Sequence, residues 1–182
     1  MDKLFLGLVL VLLDLNISFG TVSLDLIPDF LGHFWVAQAC IQLLSFDKLF
    51  HKVQLAEKLL TVYSGIVFLL HLFGADAQLG IWRLLLDGVQ IIGSLIAVYW
   101  LICGLKQIEQ THSWNLSAAS LQMMWPIIAC LHSIALVLSW IPVISLLVSW
   151  AAIVASVCFL AILYKSRQQF TEHNKNNIID AQ

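Results

Sequence analysis

A few polar side chains stand in runs that are otherwise almost wholly apolar, and these could do chemistry: Asp14, Asn16, Arg83 and Asp87, then Asp29, His33 and His71. A carboxylate at the centre of a membrane helix costs about 2.5–3.5 kcal/mol on insertion scales, so such a group needs a partner or a task. Arg83 and Asp87 are four residues apart and share one helical face. Asp29 and His33 have the same spacing, and Asn16 can hydrogen-bond across helices. Three readings are open for this set. It can be an ion-pair and hydrogen-bond network that fixes helix packing. It can be a proton or cation site in the outer half of a bundle, built from Asp14, Asn16, Arg83 and Asp87. It can be a metal site using Asp29, His33 and His71, although the HExxH spacing of catalytic zinc is missing. Asp29 also has a structural role open to it, because a carboxylate in a first helical turn binds free backbone N–H groups. No catalytic residue is assigned and no cofactor is expected, since the chain has no GxSxG elbow, P-loop or dinucleotide fingerprint.

The elements that must position these residues are membrane helices. Of 182 residues, 60% are hydrophobic and 11% charged, and the mean hydropathy is +0.91. A soluble domain carries about 25% charged residues, so a water-facing shell around one core is excluded. The net charge of −2 and pI near 6.3 exclude a nucleic-acid binder with a basic face. The partner to expect is the lipid bilayer, with a membrane protein or a second copy of the chain as a further partner. Cys40, Cys103, Cys130 and Cys158 form no CxxC pair and read as buried apolar residues.

Six segments emerge, at 4–19, 29–44, 59–73, 81–105, 121–140 and 142–164. Pro28 and Pro142 suit helix starts, and Pro126 should kink the fifth segment. The first segment faintly resembles a signal peptide, but Asp14 and Asn16 interrupt it and it reads as a retained helix. Eight of the nine Lys and Arg residues fall on one side of this layout, with Arg83 alone near the other. The basic side should be cytoplasmic, with both termini inside. Trp82 and Trp140 then mark the outer edge, and Trp114 and Trp125 the inner one.

Between the second and third segments, Phe46, Leu49, Phe50 and Val53 recur at helical spacing among Lys48, His51, Lys52 and Glu57. This predicts either an interfacial helix or a solvated continuation of helix two. Residues 1–164 therefore form one bundle, and the Asn-rich segment 165–182 reads as a disordered polar tail. A faint match between residues 6–20 and 79–93 could be an inverted repeat, with chance identity between leucine-rich helices as the simpler account.

The first hairpin carries the most specific motif: Leu13-Asp14-Leu15-Asn16-Ile17, then Asp25-Leu26-Ile27-Pro28-Asp29-Phe30-Leu31-Gly32-His33. It resembles the start of a family of small six-helix membrane proteins of Gram-positive bacteria. These are similar in an Asp-x-Asn-Ile turn and a Leu-Pro-Asp-Phe-Ile-Gly-Tyr element, with His33 here in place of the tyrosine. The resemblance implies an all-α bundle in a bacterial cell membrane and no particular activity. The leading functional expectation is a small ion- or proton-coupled, transporter-like protein. In it Asp14 and Asp87 converge, helices one and four pack together, and Arg83 is the counter-charge. The alternative is an accessory or scaffold subunit of a membrane complex, and an enzyme is the less favoured option.

Overall fold

The computed structural model describes residues 1–13, 16–19, 22–25, 28–73 and 81–179, with the side chains of 16–19, 22–25, 71, 81, 142 and 175–179 left out. Six helices dominate: α1 (Asp2–Leu12), α2 (Asp29–Leu43), α3 (Leu49–Leu72), α4 (Ile81–His112), α5 (Ala118–Val137) and α6 (Pro142–Ile179). Between α1 and α2 a short antiparallel ladder pairs β1 (Asn16–Phe19) with β2 (Val22–Asp25), Asn16 opposite Asp25. The first predicted helix therefore ends early, at Leu12, and the matched stretch 6–20 changes to strand where 79–93 stays helical after residue 81. That difference favours chance over an inverted repeat.

Local chemistry sets the helix boundaries. Pro28 and Pro142 stand at the starts of α2 and α6, where a missing N–H costs nothing. Asp47 Oδ1 accepts the Leu49 N–H at 2.6 Å and starts α3. The basic segment before Lys58 is thus neither a separate interfacial helix nor an extension of α2; it is the first turns of α3. Its apolar face is nonetheless turned inward, with Phe50 and Val53 fully buried and Lys48 and Lys52 exposed. The α4–α5 link holds Ser113 and Ser117 at φ of 54° and 57°. Glu109 Oε1 steadies this link by accepting the N–H groups of Leu116 and Ala118 at 2.6 and 3.1 Å.

Each helix packs on its neighbours in the chain, and α6 returns to α1, so the six close into a ring. Its core includes Leu4, Leu8, Val36, Phe50, Leu101, Leu105, Leu121 and Phe159. α1 and α2 cross at Gly7 and Gly32. A Cβ on Gly7 would lie 2.7 Å from the Gly32 carbonyl oxygen, so only glycine permits this approach. The ring closes where Arg167 Nε meets Asp2 Oδ1 at 2.6 Å, with the guanidinium over the Phe5 and Tyr164 rings.

Four helices, α3 to α6, are long and apolar enough to cross a membrane. The exposed stripe of α3 runs Leu55, Leu59, Val62, Ile66 and Leu69, and Phe73 continues it just past the helix end. Through Phe73 it spans about 27 Å at 1.5 Å per residue, close to a hydrocarbon core of about 30 Å. On α4 the corresponding stripe is Trp82, Leu85, Val89, Ile92, Ile96 and Tyr99. α1 and α2, with 11 and 15 residues, reach only about 16 and 22 Å.

Several expectations change. Trp82 and Trp140 are exposed. Trp114 is instead buried among Phe46, His112, Phe170 and His173, stacked on the His173 ring at 5.3 Å. Trp125 turns its Nε1–H to the Leu95 carbonyl at 3.0 Å, because a half-buried indole needs an acceptor. Cys40 is buried, whereas Cys130 and Cys158 lie on the apolar exterior. The expected disordered tail is helical through Ile179, since Phe170 and His173 continue the inward-facing spacing of α6 and give it a docking surface.

Candidate functional site

The polar centre of the bundle is assembled from α2, α3 and α4. His33 Nδ1 lies 2.7 Å from Glu57 Oε2, and the two side chains are only 1% and 3% exposed. This pair places two ionisable groups inside a helix bundle, where each would be costly alone. Glu57 gets there by register. The buried stripe of α3 runs Phe50, Val53, Glu57, Leu60, Ser64 and Val67, spaced alternately by three and four, so the carboxylate occupies a core position.

His33 reaches the core in the same way, between Gly32 and Val36 on the buried face of α2. Its second nitrogen, Nε2, lies 3.5 Å from Ser94 Oγ on α4, and that hydroxyl also donates to the Gln90 carbonyl at 2.8 Å. One turn earlier, Gln90 Nε2 donates to Asp29 Oδ2 at 2.6 Å. Asp29 is in the first turn of α2, as the sequence suggests, and its contact with Gln90 ties α2 to α4.

Arg83 and Asp87 meet as expected, Nε to Oδ2 at 3.8 Å, with both side chains more than a third exposed. They continue a file along α4. Residues 83, 87, 90 and 94 fall at intervals of four, three and four, one per turn on one face. The file covers about 16 Å of helix axis, from the end of α4 near Trp82 to the His33–Glu57 pair.

Other candidates fare differently. Asp14 lies outside the described residues, as do the side chains of Asn16 and His71. The expected packing of helices one and four gives way to another arrangement: α1 packs on α2 and α6, and α4 on α3 and α5. Azimuth around the bundle, unlike depth, cannot be read from residue spacing alone. Among the described residues no group of three or more His, Cys, Asp or Glu side chains is placed to hold a metal ion. His33 turns Nδ1 to Glu57. His132 Nδ1 lies 2.9 Å from the Ile128 oxygen of its own helix.

The residues that spacing missed are Glu57, Gln90 and Ser94. Glu57 was visible in principle: it is three or four residues from Val53 and Leu60, on the apolar stripe rather than the charged one. A helical bundle with four membrane-length helices and a buried histidine–carboxylate pair is the class of protein that the fold and site define. Comparisons with protein-family models, characterised proteins and solved structures find no match to this chain.

Proposed function

We propose that this is a multi-pass cell-membrane protein in which the His33–Glu57 pair exchanges protons, in the manner of a small ion- or proton-coupled transporter. The observation that carries this reading is the pair itself, buried between α2 and α3 at 2.7 Å. Two ionisable groups held this way inside an apolar bundle are costly to retain and suited to passing a proton between them. The file of Arg83, Asp87, Gln90 and Ser94 supports it, because it offers a polar approach from one end of the bundle to the pair. Asp14 and Asn16 belong to the same outer region by sequence. The basic asymmetry supports a cytoplasmic location for the end that carries Lys48 and Lys52.

The second reading, an accessory or scaffold subunit with a membrane partner or a second copy, is favoured by how completely the pair is shielded. In that reading the contact only clamps α2 to α3. Proton uptake into liposomes containing the purified chain, driven by an acid pulse, separates the two. Uptake above that of empty liposomes, lost in Glu57→Gln, supports transport. Uptake equal to that of empty liposomes refutes it.

A further inference from the structure

Glu57, His33 and Ser94 are joined by two successive contacts whose chemistry goes beyond proton exchange. With Glu57 as the carboxylate, which only accepts, the hydrogen in the 2.7 Å contact between Glu57 Oε2 and His33 Nδ1 belongs to the imidazole. In the neutral imidazole this arrangement puts the lone pair on Nε2, where it can act as a base. The atom that Nε2 faces, at 3.5 Å, is the hydroxyl oxygen of Ser94. Acid, base and nucleophile are thus contributed by three different helices in the order that activates a serine, and this constellation is recognised by geometry and not by chain order. The gradient of burial agrees. Glu57 and His33 are closed off, whereas Ser94, which must meet a substrate, is half-buried. The resting contact of 3.5 Å is longer than a working one, as is common before substrate binds, and at rest the Ser94 hydroxyl donates to the Gln90 carbonyl at 2.8 Å.

We propose that Ser94 is the nucleophile of an intramembrane acyl-transfer site, with His33 as general base and Glu57 as its orienting acid. The substrate class is an apolar carboxylic ester, because Ile92 and Ile96, flanking Ser94 on α4, are exposed and apolar. Ser94 Oγ bonds to the acyl carbon while its proton passes to His33 Nε2. The ester C–O bond then breaks, and the alcohol leaves with that proton. Water, deprotonated by His33, attacks the acyl-serine and releases the carboxylic acid, restoring the Ser94 hydroxyl.

The test uses the full chain in detergent, where no gradient exists and proton transport plays no part. A fluorophosphonate probe displaces fluoride on reaction with an activated serine. The expected result is an adduct mass on the peptide that contains Ser94. Labelling should disappear in Ser94→Ala, fall at least tenfold in His33→Gln, and persist in Ser64→Ala, whose hydroxyl bonds only to backbone carbonyls of its own helix. Hydrolysis of p-nitrophenyl butyrate should follow the same order. Absence of any adduct on the wild-type Ser94 peptide overturns the proposal, and that measurement needs no variant to fold. Labelling that is unchanged in His33→Gln overturns it as well.

Discussion

Removing His33 isolates a carboxylate in the core, and the cost of that follows from the contact itself. Glu57 is 3% exposed and its imidazole partner 1%, at 2.7 Å. Breaking a buried pair by deleting one partner costs about 3–5 kcal/mol, against about 0–1 kcal/mol for an exposed pair. His33→Ala should therefore weaken folding by roughly two to three and a half powers of ten. Glu57→Gln keeps the volume and a hydrogen-bonding oxygen, and should cost only about 1–3 kcal/mol. The double replacement His33→Leu/Glu57→Met removes both polar groups. It should be less destabilised than His33→Ala alone, because no uncompensated charge remains. Reversible unfolding in mixed detergent micelles, followed by circular dichroism, gives all three values. A cost below about 1 kcal/mol for His33→Ala would place the pair in water and refute the reasoning.

Three further outcomes follow from other contacts. Gly7→Val should destabilise the α1–α2 crossing by at least about 1–3 kcal/mol in the same assay, because even a Cβ meets the Gly32 carbonyl at 2.7 Å; an unchanged midpoint would contradict the crossing. Glu109→Ala should cost about 1–2 kcal/mol, since it strips the acceptor from two N–H groups at the start of α5, and hydrogen exchange at Leu116 and Ala118 should quicken. Arg83→Ala should cost less than about 1 kcal/mol, because its side chain is nearly half exposed; a loss comparable to that of His33→Ala would show a buried role for Arg83.

Six helices were legible because apolar length and proline positions are local signals, but the third begins at Leu49, behind the Asp47 contact and ten residues before the apolar run at 59. Packing partners were not legible. Depth along a helix follows from counting residues, but which helices touch depends on contacts far apart in the chain, such as Gly7 with Gly32 or Glu57 with His33. Charge also misled. Glu57 follows Lys48, His51 and Lys52, and the group reads as one solvated surface. Helical geometry separates them, turning Lys48 and Lys52 outward and Glu57 inward. The polar tail misled for a related reason: its composition suggests disorder, while Ser166, Phe170 and His173 keep one inward face at helical spacing.

The ring of helices has a consequence for the order in which the molecule is made. Five of its six seams join helices adjacent in the chain, so each can form as soon as its second helix emerges from the ribosome and enters the bilayer. The sixth seam joins α1 to α6 and waits for nearly the whole chain. Asp2 must hold its place for 165 residues before Arg167 arrives. Contacts of such long separation form late and carry the largest loop-closure cost. Chains stalled before α6 would therefore hold five helices with one side of α1 uncovered, a natural target for quality control in the membrane.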